Sequence, residues 1–118
     1  MSKVEITLTT SAQALKDAAS VWRRIEAGDE TIVPTISFGS PSELFAAITD
    51  RRLELLRHVA SHEALNIHQL AQALGRDYKN VHTDVKALEQ LGLLERTDGK
   101  LGVPFDEIDI RVALREAA

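Results

Sequence analysis

The stretch Asn66–Glu95, NIHQLAQALGRDYKNVHTDVKALEQLGLLE, reads as two helices broken at a glycine. In the first, Ile67, Leu70, Ala71 and Leu74 recur at helical spacing, with Asn66 placed to cap the N-terminus. Gly75 takes positive φ at no steric cost and so permits a sharp turn. Asp77 is positioned to cap the second helix, its carboxylate near the positive end of the helix dipole. That helix carries Val81, Val85, Leu88 and Leu91 on one stripe and stops at Gly92. Its other face presents Tyr78, Lys79, His82, Thr83 and Lys86. An apolar stripe backed by hydrogen-bond donors suits a rod that docks on its own domain and lies in the major groove of DNA.

Three phrases carry a resemblance: LAQALG for an apolar first helix, DYKNVHTDVKAL for a capped recognition helix and LEQLGLL as a closing phrase. Together they resemble the winged helix-turn-helix regulators of bacteria and archaea, of the MarR-like kind. The resemblance is strongest over Ile67–Glu95 and extends from Leu44 to Phe105. The phrase LGRDYKNVHTDV is similar to that of a group of small prokaryotic DNA-binding proteins, some relatives of which are encoded beside a small toxin. The resemblance implies a repressor that reads DNA as a homodimer, or an antitoxin that neutralises a small toxin protein and represses its own operon.

Outside this stretch, composition sets broad bounds. The 118 residues suffice for one domain with an extension and a proper core. Without cysteine there is no disulfide framework and no thiolate metal site, which fits a reducing cytoplasm. No apolar run reaches membrane-spanning length, and the first residues, MSKVEITLTT, alternate like a strand instead of forming a secretion signal. A net charge of −4 argues against DNA only until its distribution is read. Residues 1–50 hold four Lys/Arg against seven Asp/Glu, residues 101–118 hold two against four, and residues 51–100 hold eight against seven. The acidity sits in the flanks, while Arg76, Lys79, Lys86, Arg96 and Lys100 cluster about the proposed DNA face. Phosphate contacts depend on local charge more than on the total. One copy offers few of them, so two copies on two half-sites make the more effective binding unit.

The flanks divide at the Gly39-Ser40-Pro41 turn. Before it, Lys3–Thr9 alternates as a half-buried strand, and Thr10 or Ser11 can cap a helix to about Ala27 with the stripe Leu15, Ala18, Ala19, Trp22 and Ile25. Thr31–Phe38 is strand-like, and Pro34 favours an edge position. After the turn, Ser40 caps a helix with Pro41 at its first position. A longer helix, Asp50–His62, would bury Leu53, Leu56 and Val59 or Ala60 as a support for the central pair. Residues 94–105 form a hairpin wing about the Asp98-Gly99 turn signal. Glu107–Leu114 alternates Ile108, Ile110, Val112 and Leu114 as a last strand.

The fold class expected is α+β: a winged helix-turn-helix domain over residues 40–118, including the C-terminal strand, with an N-terminal β-α-β extension over 1–39. The end strands Val4–Thr9 and Glu107–Leu114 would join one sheet with Thr31–Phe38 at its edge, and that sheet with the Leu15–Ile25 stripe would form the dimer interface. In the DNA interface, Arg76, Lys79, Lys86, Arg96 and Lys100 would hold phosphates, and Tyr78, His82 and Thr83 would read base edges. Asn80 lies in the first turn, where recognition helices approach DNA, or serves as a local cap; Asp84 is read as a partner within the domain. Arg51 and Arg52 belong to a solvated face that can also touch phosphate. His58 and His62 stand four apart on one helix face, but a tetrahedral zinc site needs further ligands, so they are read as a solvated pair and no metal or cofactor is expected. No nucleophile elbow, phosphate loop or zinc-protease helix is present, and the chain is not expected to be an enzyme.

Overall fold

The computed structural model of the chain describes residues 2–9, 11–28, 33–62 and 64–115. In chain order the elements are β1 (Lys3–Leu8), α1 (Ser11–Glu26), β2 (Thr35–Phe38), α2 (Pro41–Ala47), α3 (Asp50–Ser61), α4 (Ile67–Leu74), α5 (Tyr78–Leu91), β3 (Glu95–Thr97), β4 (Lys100–Gly102) and β5 (Glu107–Arg111). They form an α+β fold in two compact units. Lys3–Phe45 and the chain from Glu107 onward make the first, and Ala46–Asp106 the second.

In the first unit β1 lies between β2 and β5, and both pairings are parallel. The two ends of the chain thus share one sheet with β2 at an edge, as their alternation predicts. Parallel register sets Ile6 beside Ile36 and Ile110, and Val4 beside Ile108, so one face is apolar. The other carries Glu5 beside Thr35 and Asp109, and Thr7 beside Ser37 and Arg111. A period of two residues produces this sorting, since successive side chains leave opposite faces. Val4 and Ile6 are buried, whereas Pro34, with no N–H to give a ladder, contributes only its carbonyl, which accepts from Glu5 N at 2.9 Å.

This sheet corrects the expected boundary. The C-terminal strand belongs with the N-terminal unit and not with the winged domain, because β5 bonds along β1 from Lys3↔Glu107 to Thr7↔Arg111. β2 begins at Thr35; Thr31 and the expected cap Thr10 lie outside the described residues. The turn after β2 follows its sequence: Ser40 Oγ accepts from Glu43 N at 3.2 Å at the start of α2. The α1 stripe, expected at a dimer interface, is open in the single chain. Leu15, Trp22 and Ile25 are 74%, 64% and 53% exposed, so Trp22 is not a core residue of the single chain.

The second unit has a winged-helix-like arrangement, with helices α3, α4 and α5 followed by the β3–β4 hairpin. Its core draws Leu55, Leu56 and Val59 from α3, Ile67, Leu70 and Ala71 from α4, and Val81, Val85 and Leu88 from α5, with Leu93, Leu94 and Leu101 from the hairpin region. Leu56 and Val59 of α3 are buried as expected, but the third buried position is Leu55, while Leu53 is only half-buried and Ala60 exposed. Both settings satisfy helical spacing, so packing decides between them. The hairpin is shorter than expected, with three residues in each strand, and Asp98 and Gly99 take φ of 53° and 77° at its tip. Two consecutive positive φ values match the twist of a two-residue hairpin turn. Leu101 N donates to Leu65 O at 2.8 Å, which ties the hairpin to the segment before α4. No helix among the described residues is long and apolar enough to cross a membrane.

Leu88 is fully buried at the centre of this core. Leu88→Ala should lower unfolding free energy by about 2–5 kcal/mol in a urea titration, as expected for a core leucine whose cavity only partly collapses. A loss below about 1 kcal/mol would show that α5 is not packed as described.

Candidate nucleic-acid interface

Local chemistry places the two central helices. Asn66 Oδ1 accepts from Gln69 N at 2.8 Å while Gln69 Oε1 accepts from Asn66 N at 2.9 Å, a reciprocal cap that starts α4. Gly75 then adopts φ 63°, ψ 35°, and Arg76 N donates back to Ala71 O at 3.0 Å, which closes α4 and turns the chain. A side chain at Gly75 would be strained by this backbone even though nothing crowds the site. Asp77 occupies the N-cap position of α5 in extended conformation, but its carboxylate accepts no helix N–H, contrary to the expected side-chain cap. The first turn of α5 therefore begins without a side-chain acceptor of its own.

Helical geometry sorts the α5 residues into three lines. Val81, Val85 and Leu88 are fully buried. Directly opposite, at successive turns, stand Lys79, Thr83 and Lys86, all exposed. Tyr78 and His82 lie on one flank of this outward line and Asn80, exposed, on the other. The Lys79–Lys86 line is about 10 Å long at 1.5 Å per residue, a length that fits within the roughly 12 Å width of a major groove. Thr83 Oγ1 donates to Lys79 O at 3.0 Å, which uses its proton internally and leaves its oxygen able to accept.

The ring flank reveals a residue that the sequence reading missed. Tyr78 stacks on His68 of α4 with centroids 4.3 Å apart and planes 23° from parallel, and leans on His82 at 5.9 Å. His68 is exposed and belongs to the same surface. A signal existed: His68 follows the buried Ile67 and falls outside the apolar stripe, but ten residues and a turn separate it from Tyr78. Only the angle between the helices brings the rings together.

Two expected phosphate ligands have other roles. Arg76 Nη2 donates to Asp84 Oδ2 at 2.9 Å, and its side chain is only 13% exposed. Its Nε and Nη1 are buried without a hydrogen-bond partner, so its charge depends on Asp84. Arg52 of α3, read as a solvated residue, donates from Nε to Asp84 Oδ1 at 3.0 Å and from Nη1 to Ala47 O at 2.9 Å. Asp84 is thus the internal partner expected of it, and it holds two guanidiniums. Arg96 is half-engaged, donating to Glu89 Oε1 at 2.5 Å with its side chain 30% exposed. Lys100 is exposed beside the hairpin tip. His58 and His62 stack at 4.1 Å, His62 Nδ1 lies 3.0 Å from His58 O, and no group of three or more acidic or histidine side chains is set to hold a metal among the described residues.

Removal of a shared, largely buried carboxylate leaves two guanidiniums without their counter-charge. Asp84→Ala should therefore destabilise the fold by about 3 kcal/mol in denaturant unfolding, well beyond the effect of an exposed acidic residue. A loss below about 1 kcal/mol would mean that the two arginines find solvent instead.

No curated protein matches this sequence. A family model described as HVO_A0114 matches residues 47–110, which covers the end of α2, all of α3, α4 and α5, the hairpin and most of β5. That span is more than half of the chain and contains every residue of the surface just described, and the chain belongs to the HVO_A0114 family.

Proposed function

We propose that this protein is a sequence-specific DNA-binding transcriptional regulator, a repressor of the MarR-like winged-helix kind that acts as a homodimer. The observation that carries the reading is the outward line Lys79–Thr83–Lys86 of α5, set opposite a fully buried stripe and flanked by the His68–Tyr78–His82 rings. In this reading α5 enters the major groove. Lys79 and Lys86 hold phosphates, with Lys100 and part of Arg96 reaching the backbone from the hairpin. Thr83, His82 and Tyr78 approach base edges, and Asn80 contacts the strand on the other flank. The uncapped first turn of α5 adds N–H groups and dipole toward phosphate. Arg76 and Arg52 position the helix from behind and make no DNA contact.

A second reading is favoured by the exposed Leu15, Trp22 and Ile25 of α1: the first unit binds a protein, as an antitoxin binds a small basic toxin. A short adjacent reading frame whose product forms a stable complex with this chain would establish it. A complex that survives Leu15→Asp and Trp22→Ser would remove α1 from that role.

Selection of bound duplexes from a random pool, followed by fluorescence anisotropy, tests the DNA reading. Lys79→Ala and Lys86→Ala should each weaken binding to all sequences alike and reduce the slope of log K against log salt by about one. Thr83→Ala or His82→Ala should change sequence preference by roughly 1–3 kcal/mol while leaving that slope intact. Absence of duplex binding by the wild type at low salt defeats the reading.

A further inference from the structure

We propose that the outer edge of β5 pairs with β5 of a second copy of this chain, antiparallel, about a two-fold axis that sets Ile110 opposite its own copy. In the order β2-β1-β5 the last strand has a neighbour on one side only. Alternate N–H and C=O groups of Glu107–Arg111 face β1, and among the described residues the others have no backbone partner. Such an edge is a template for another strand unless something blunts it. Residues 107–114, EIDIRVAL, contain neither proline nor glycine to do so. Their apolar alternation also runs past the observed strand: Ile110, Val112 and Leu114 are 45%, 47% and 94% exposed.

Charge selects a second copy as the occupant. In antiparallel pairing, facing residues share a sheet face, so a two-fold axis perpendicular to the sheet, midway between the strands, sets one residue opposite its own copy. An axis at Ile108 would set Glu107 against Asp109, one at Asp109 would set that carboxylate against itself, and one at Arg111 would do the same to a guanidinium. The axis at Ile110 has no such conflict. It sets Ile110 against its own copy, Ile108 against Val112, and Asp109 against Arg111 twice over, once on each side. The apolar pairs then continue the Val4, Ile6, Ile108 face, and the ion pairs fall on the polar face. Both charged groups are accessible for this: Asp109 and Arg111 are 45% and 69% exposed, and their contacts within the chain, to Lys3 at 3.8 Å and Glu5 at 3.6 Å, are long and solvated. The product is a continuous six-stranded sheet that links the first units of two copies and draws Val112 and Ala113 into the strand.

This deepens the dimeric part of the proposed function, but its test needs no DNA, so the two can fail separately. Sedimentation of the full chain at tens of micromolar should give a dimer. Asp109→Arg places like charges opposite each other at both symmetric positions, and Arg111→Glu does the same with the opposite sign. Each variant alone should dissociate on the order of 10–100-fold more readily. Mixed in equal amounts, the two variants regain opposite charges at both positions and should form a heterodimer, a recovery that misfolded chains would not give. A monomeric wild type, variants that dimerise as well as the wild type, or variants that fail to recover on mixing would each overturn the proposal. Binding of an unrelated extended peptide to the edge of a monomeric wild type would show that the seam belongs to another protein.

Discussion

The carboxylate of Asp84 is the constraint on which the central helices depend. It lies on α5 and accepts from Arg52 of α3 and from Arg76 in the turn after α4, each at about 3 Å. Burial of any one of these groups alone would cost several kcal/mol, so the three are stable together and unstable apart. Because Arg52 also reaches the carbonyls of Ala46 and Ala47, a single network joins the end of α2, the support helix, the turn and the outward helix. Apolar packing brings Val81, Val85 and Leu88 to the core but tolerates small rotations of a helix. Directional hydrogen bonds to both oxygens of one carboxylate do not.

That network determines the electrostatics of the outward surface. Arg76 is neutralised by Asp84 and Arg96 is engaged by Glu89, so the surface charge is carried by Lys79, Lys86 and Lys100, none of which has an ion-pair partner among the described residues. In the proposed DNA reading, three cations would make a small number of phosphate contacts, which salt would screen strongly. On that reading, two copies on two half-sites would double the number of contacts. The small number of cations also gives the ring cluster more weight, since Tyr78, His68 and His82 supply contact area and hydrogen bonding that do not depend on net charge.

The acidic flanks have a separate physical logic. The charged residues of the β2-β1-β5 sheet fall on one face, where Lys3, Glu5, Asp109 and Arg111 form ion pairs between neighbouring strands. Apolar residues occupy the other face. Most of the negative charge lies on the first unit, so an overall charge of −4 coexists with the exposed lysines Lys79, Lys86 and Lys100 of the second.

What the sequence determined by itself was everything governed by short range. Periods of 3.6 and 2 residues identified the helices and strands, Asn66 and Gly75 marked the ends of α4, and Asp98-Gly99 marked the hairpin tip. Alternation at both chain ends was enough to infer a shared sheet, since neither strand can leave its backbone groups unpaired. Tertiary structure alone decided what depends on which surfaces meet. Spacing cannot choose between Leu53 and Leu55 as the buried α3 position, nor reveal that Arg76 turns inward, that Asp77 leaves its helix uncapped, or that His68 joins Tyr78. An arginine beside a turn looks the same in sequence whether it faces phosphate or a buried carboxylate. The difference is set by Asp84, eight residues away, and by Arg52, on another helix.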